Sequence, residues 1–233
     1  MLITMESLPR LIDVSCVRTD VTVSEIDKMA ELADKHKFIC CFAMPCYTEL
    51  LAGKLRGVRG VMLGGVVGFP SGADTTVMKV RTVKQMRGYG CAELDMVIQV
   101  GALKSGMSGF VYNDIRAVVE AAEGLPVKTI LEVAYLTDDE ITEASEIAVK
   151  AGAAFIKTGT GWAGKPTTVD HIKLIKRTIG DSAGIKAAGG VRDLDTVRSM
   201  LDEGCTRFGI GVKSAVSIME EVACLAGNIP ETA

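Results

Sequence analysis

Two lysines stand at apolar positions where a solvated surface lysine is out of place. Lys157 closes the run Ala153-Ala154-Phe155-Ile156-Lys157, and Lys186 sits inside Gly184-Ile185-Lys186-Ala187-Ala188. A carboxylate, Asp95, interrupts a third such run, Ala92-Glu93-Leu94-Asp95-Met96-Val97-Ile98. Charge within a strand core is costly unless it is paired or functional. Lysine also gives up its proton readily on burial, which turns it into an amine nucleophile near neutral pH. If Lys157 is desolvated beside the cation of Lys186, its neutral form is favoured and can attack a carbonyl carbon. The resulting carbinolamine dehydrates to a Schiff base, an electron sink for making or breaking a carbon–carbon bond. Asp95, directly or through a water, is suited to moving protons at the carbinolamine and enamine stages. Glu132, which follows another apolar run, reads either as a further carboxylate of the site or as the partner of Lys186.

Two glycine-rich segments follow the lysines: Lys157-Thr158-Gly159-Thr160-Gly161 and Gly189-Gly190-Val191-Arg192-Asp193. Exposed backbone N–H groups at a helix N-terminus make an anion site, and Arg192 adds a charged fork. Both segments therefore suit a phosphate, although glycine pairs also serve as plain tight turns.

These groups need elements that bring them together across long sequence separations. Strand-like runs fall near 11–16, 38–43, 61–67, 92–98, 127–133, 153–158, 184–188 and 206–210. They alternate with amphipathic helical patterns near 24–37, 46–56, 74–89, 109–123, 137–151, 167–179, 193–203 and 213–226. Ser24 ahead of Glu25, Thr137, Thr168 and Asp193 mark helix starts, and Gly152, Gly180 and Gly204 mark helix ends. Strict alternation implies parallel strands joined by crossover helices. Eight such units predict an α/β protein, a (β/α)₈ TIM barrel, as one domain over residues 1–233. A doubly wound open sheet is the alternative, disfavoured because no Gly-x-Gly-x-x-Gly turn follows the first strand. In a barrel, Asp95, Lys157 and Lys186 fall on strands four, six and seven and point into one mouth.

Composition narrows the function further. The 233 residues carry a net charge of −3, with basic residues dispersed rather than gathered on one face, so nucleic acid is not an expected partner. Seven cysteines without framework spacing read as reduced thiols of a cytoplasmic protein, with Cys16, Cys91, Cys205 and Cys224 as small core residues. Cys41 and Cys46 flank a turn but lack further metal ligands nearby. No apolar stretch reaches membrane-spanning length, and Met1 to Arg10 lacks the pattern of a secretory signal. The two histidines, His36 and His171, do not lie on strand ends, so a metal-dependent aldol mechanism is poorly supported and no metal site is expected.

The segments Phe155-Ile156-Lys157-Thr158-Gly159-Thr160-Gly161, Ile185-Lys186-Ala187-Ala188-Gly189-Gly190-Val191-Arg192 and Glu93-Leu94-Asp95-Met96-Val97-Ile98 resemble the signatures of the deoxyribose-phosphate aldolases. Val66-Val67-Gly68-Phe69-Pro70-Ser71-Gly72-Ala73, Gly101-Ala102-Leu103-Lys104-Ser105-Gly106 and Leu136-Thr137-Asp138-Asp139-Glu140 agree with them. The resemblance runs from about residue 11 to about residue 220. It implies a cofactor-free class I aldolase that reversibly cleaves 2-deoxy-D-ribose 5-phosphate to acetaldehyde and glyceraldehyde 3-phosphate, often as a homodimer. By this resemblance Lys157 is the Schiff-base lysine, Lys186 perturbs its pKa, and Asp95 relays protons. Asp13 and Ser15 lie by the substrate hydroxyls, and Thr158, Gly161, Gly189, Gly190, Arg192, Gly209 and Gly211 line the rest of the substrate site.

Two departures bear on the substrate. The segment Arg207-Phe208-Gly209-Ile210-Gly211-Val212-Lys213-Ser214 has Gly and Val where family members carry small hydroxyl residues, leaving backbone amides and Lys213 for an anion. The tail Asn228 to Ala233 has no tyrosine of the kind some members use. Two other readings therefore stand beside the first: a Schiff-base aldolase for a different phosphorylated or unphosphorylated sugar, and a non-catalytic phosphosugar-binding barrel.

Overall fold

Eight short strands pair in sequence order, and the last closes on the first to make a parallel barrel. The computed structural model describes residues 3–227; the first two residues and the tail from 228 to 233 lie outside them. The strands are β1 (Ile12–Cys16), β2 (Cys40–Ala43), β3 (Met62–Val67), β4 (Glu93–Val97), β5 (Val127–Ile130), β6 (Phe155–Lys157), β7 (Gly184–Ala188) and β8 (Arg207–Gly211). Around them run α1 (Val23–His36), α2 (Pro45–Lys54), α3 (Thr76–Gly88), α4 (Val100–Lys104), α5 (Ser108–Ala121), α6 (Asp138–Lys150), α7 (Val169–Ile179), α8 (Leu194–Asp202) and α9 (Val212–Leu225). The expected (β/α)₈ barrel is thus the observed one. Among the described residues no helix is long and apolar enough to cross a membrane.

The helices form because each presents an apolar stripe at helical spacing to the outer face of the barrel. In α1 the buried set is Ile26, Met29, Ala30 and Ala33; in α9 it is Ala215, Ile218, Met219 and Val222. Burying each of the larger side chains contributes roughly 1.5–3 kcal/mol. Cys224 falls off the α9 stripe and is exposed, contrary to its expected place in the core, whereas Cys16, Cys91 and Cys205 are buried.

Local differences from the sequence reading have local causes. Helix α1 starts two residues earlier than expected, capped by Thr22 rather than Ser24. Thr22 and Glu25 satisfy each other's backbone N–H groups in a capping box. Thr137, Thr168 and Asp193 do cap α6, α7 and α8. Helix α4 was not foreseen, because five residues are too few to establish a helical period. Strand β5 stops at Ile130, short of the expected end at 133. Glu132 takes a left-handed conformation (φ 58°, ψ 60°) and Val133–Tyr135 coil into a 3₁₀ turn.

Candidate active site

Strand register decides which charged groups share the barrel interior, because paired residues of adjacent parallel strands face the same side. Lys157 pairs with Lys186, and Lys186 with Arg207. Asp95 pairs with Lys128, and Asp13 pairs with Cys40 on one side and Gly209 on the other. The inside of this barrel is therefore a packed cluster of ions in place of the usual branched aliphatic layers.

Asp95 is the hub of the upper part. Its Oδ2 accepts from Lys157 Nζ at 2.7 Å and from Lys186 Nζ at 2.6 Å. Lys186 Nζ also lies 2.6 Å from Asp13 Oδ2, with the Phe42 ring centroid 4.3 Å away. Lys157, at 7% exposure, is the least buried lysine of the cluster; Lys186 and Lys128 are at 1% and 0%. Burial alone would push all these groups toward neutrality, and the partners decide the outcome. Asp95 is held far below the usual carboxylate range, because Lys157, Lys186 and Lys128 together outweigh its desolvation. Lys186 is pushed above the usual lysine range: burial opposes its charge, but Asp13 and Asp95 prevail. Lys157 comes down, to about 8. Desolvation is the largest cause, Asp95 opposes it, and the Lys186 cation adds to it. Reading Lys186 as the perturbing charge thus captures a smaller part of the shift than burial does.

A second layer lies beneath, away from the mouth. Arg207 donates through Nε to Asp13 Oδ1 at 2.7 Å and through Nη2 to Glu93 at 2.8 and 2.9 Å. Lys128 contacts Glu93 and stands 3.5 Å from Asp13 and 3.6 Å from Asp95. Sequence reasoning missed Glu93, Lys128 and Arg207. The available signal was the two-residue spacing of Glu93 and Asp95, which puts both on one strand face. Asp13, Cys40 and Glu93 bring metal-ligand atoms within 4.8 Å of one another. Both carboxylates are already engaged by cations, and burial first, then the charges of Glu93 and Asp13, hold the Cys40 thiol well above its ordinary pKa. This donor set is an ion-pair network.

Above the lysines opens a cavity of about 550 Å³. Asp13, Ser15, Asp95, Lys157, Gly161, Lys186, Gly189, Gly190, Arg192, Gly209 and Gly211 all line it, so the expected site residues converge on one space. Thr158 is the exception. Fully buried behind the wall, it donates to the Ala188 carbonyl at 2.9 Å, and its Oγ1 accepts from Ala188 N and from Thr167 Oγ1. It ties the loop after β6 to the end of β7. At Gly209 a Cβ would come within 2.9 Å of the Ala188 Cβ and 3.1 Å of the Lys186 Cε, so its missing side chain makes room for that lysine. Gly190 (φ 97°) takes a conformation that favours glycine and leaves no space for a Cβ against Pro166.

The loop after β6 is further fixed by Glu132. Its carboxylate accepts from Thr160 N at 3.2 Å and from the Thr160 hydroxyl. Glu132 is not the partner of Lys186, which is bound to Asp13 and Asp95 instead. Burial raises the Glu132 pKa, with the Thr160 hydrogen bonds and the Lys157 charge opposing. Replacing Glu132 with Leu strands the buried Thr160 N–H and leaves the left-handed backbone in place. Stability is expected to fall by about 2 kcal/mol, read as a lower urea midpoint at unchanged m. At the outer rim Trp162 donates through Nε1 to the Val17 carbonyl at 3.0 Å and meets Phe69 edge-on at 6.4 Å. Lys213 and Ser214, in the first turn of α9, line the same cavity as Arg192.

Comparison with known proteins places this geometry. The family model described as DeoC/LacD family aldolase matches residues 11–216. A deoxyribose-phosphate aldolase of Sinorhizobium medicae is 46% identical over 221 residues, covering 95% of this chain and 89% of the relative. One from Methanothermobacter thermautotrophicus is 44% identical, covering 93% and 96%. Among solved structures, the deoxyribose phosphate aldolase of Aeropyrum pernix, described as having a unique tetrameric structure, superposes with a TM-score of 0.87. It is 26% identical, over 95% of this chain and 93% of that one.

Proposed function

The chain belongs to the DeoC/LacD family of aldolases, and from that membership we propose that it reversibly cleaves 2-deoxy-D-ribose 5-phosphate to acetaldehyde and D-glyceraldehyde 3-phosphate. It is a carbon–carbon lyase. The observation that carries the site assignment is the contrast within one interior: Lys157 is drawn down to about 8, while Lys186 and Asp95 are held as ions on either side of it.

In this mechanism the neutral Lys157 amine attacks the aldehyde carbon of the open-chain sugar, and the carbinolamine loses water to form the iminium. Breaking the C2–C3 bond sends its electron pair into the iminium as the C3 hydroxyl loses its proton. Glyceraldehyde 3-phosphate leaves, the enamine is protonated at carbon, and hydrolysis releases acetaldehyde and the free amine. Asp95 Oδ2, in contact with Lys157, moves protons at the carbinolamine and enamine steps, directly or through a water. Lys186 stays an ammonium throughout, orienting Asp95 and stabilising developing negative charge on oxygen. Asp13 and Ser15 face the sugar hydroxyls. The phosphate lies toward Gly161, Gly189, Gly190 and Arg192, with the N-terminus of α9 and Lys213 serving where Gly211 and Val212 stand in place of the family's small hydroxyl residues.

Borohydride reduction in the presence of acetaldehyde is expected to attach a two-carbon label to Lys157; a peptide map without label there would overturn the assignment. Acetaldehyde release should be at least about tenfold more efficient from deoxyribose 5-phosphate than from deoxyribose, as a charged anchor implies. Equal efficiency would favour an unphosphorylated sugar. Ligand-induced thermal stabilisation without acetaldehyde release would favour a pure binder. A cytoplasmic setting and assembly as a homodimer belong to the same proposal. The first is supported by cysteines that are all unpaired, and the second is tested by sedimentation velocity.

A further inference from the structure

The ions inside the barrel do not balance if every one of them is charged. The cations are Lys128 on β5, Lys157 on β6, Lys186 on β7 and Arg207 on β8; the anions are Asp13 on β1 and Glu93 and Asp95 on β4. Four positive groups thus face three negative ones, and the excess vanishes when one lysine is neutral. Arg207 keeps its charge at any accessible pH. Lys186 is held between two carboxylates at 2.6 Å each. Lys157 contacts a single carboxylate oxygen, already shared with Lys186, and is the more exposed of these two lysines at the cavity floor.

We propose that Lys128, which does not reach the cavity, is a positioning residue that sets the protonation of Lys157 by occupying carboxylate charge that would otherwise hold Lys157 as an ammonium. Lys128 contacts Glu93 and stands within 3.6 Å of both Asp13 and Asp95. Asp95 Oδ1, the oxygen facing it, has no hydrogen-bond partner among the described residues, so its charge is answered through space by Lys128. Beneath the surface the other elements add little to this balance. Strand β2 presents the Cys40 thiol, which stays protonated; β3 presents apolar groups; and Glu132, just past β5, is turned to Thr160. Arg18, Glu25, Lys28, Arg192 and Lys213 stand at the rim, where solvent screens them.

The inference rests on Lys157 being the nucleophile, and its test separates the two. Lys128→Met, Glu93→Gln and the double variant are made in the full chain. The rate of borohydride trapping at Lys157 and kcat/KM for deoxyribose 5-phosphate are then followed against pH. Removing the Lys128 cation leaves three cations and three anions, so the acid limb should move up by about one pH unit. Activity below the limb then falls about tenfold and recovers at alkaline pH. Glu93→Gln removes an anion and should move the limb down by a similar amount. The double variant restores the original excess of one cation and should return the limb to its starting place.

A loss that is the same at every pH, or shifts of the same sign in the two single variants, would overturn the inference. If Lys128→Met does not fold, the downward shift in Glu93→Gln and the unshifted limb of the double variant still decide it. Absence of label at Lys157 in the unaltered protein would instead bring down the functional reading.

Discussion

Lys157→Ala is expected to lower kcat by about 10⁴-fold or more while leaving the barrel folded. In the proposed mechanism covalent catalysis depends on this one amine, and losing a covalent nucleophile costs on that order. Among the described residues the only other lysine at the cavity floor, Lys186, is held as an ammonium by Asp13 and Asp95 and has no lone pair to offer. The fold survives for an electrostatic reason. Asp95 Oδ2 keeps its 2.6 Å contact with Lys186, so no carboxylate is orphaned, and the remaining interior holds three cations and three anions.

Stability follows the same logic with a definite sign. The Lys157 amine has a folded-state pKa near 8, below its ordinary 10.5. Between those values the unfolded chain binds the extra proton, so the stability of the unaltered protein rises with pH there, and the burial cost is fully present below about pH 8. The Tm of the alanine variant relative to the parent should therefore be highest near pH 7 and decline toward pH 10. Substantial aldol turnover by the variant, or a relative Tm that rises over that range, would contradict this account. For the parent, kcat/KM should fall about tenfold per pH unit below about pH 8.

Lys186→Leu is expected to produce two separable defects. With this cation gone, Asp13 Oδ2 and Asp95 Oδ2 each lose a 2.6 Å contact, and Asp95 turns its full charge on Lys157. The interior then balances only with Lys157 protonated. Its apparent pKa should rise by about 1–2 units, for a 10- to 100-fold loss in kcat/KM near neutrality that is partly recovered at higher pH. Breaking a buried ion pair also destabilises, here by about 3 kcal/mol, visible as a lower urea midpoint. A fall in stability with an unmoved pH profile would leave Lys186 a structural role only.

Most of the architecture is legible in the chain because it rests on short-range patterns. Alternating apolar runs and amphipathic segments force parallel strands with crossover helices. Thr137, Thr168 and Asp193 announce their helices by satisfying N–H groups three residues on. Exceptions arise where a signal is short or shared. Ser24 and Thr22 compete to cap α1, and the capping box with Glu25 selects Thr22. The five residues of α4 are too few to show a period.

The candidate site divides in the same way. Lys157, Lys186 and Asp95 are conspicuous alone, since a charge in an apolar run is anomalous wherever it sits. Glu93, Lys128 and Arg207 are equally buried, yet each reads as an ordinary strand-end charge until its partners are known. Arg207 lies 114 residues from Glu93 and 194 from Asp13, and for Lys128 the carboxylate partners arrive from two other strands. Thr158 shows the converse: its signature position suggests substrate, but its hydroxyl is spent bracing Ala188 behind the wall.

The sequence by itself thus determined the barrel and the family and singled out the two lysines, because burial pattern, residue type and local motif are properties of neighbouring residues. Only the tertiary structure decided which amine has its pKa drawn down. Protonation depends on the sum of long-range Coulomb terms against desolvation, and that sum exists only once seven titratable groups from six strands are closed into one buried interior.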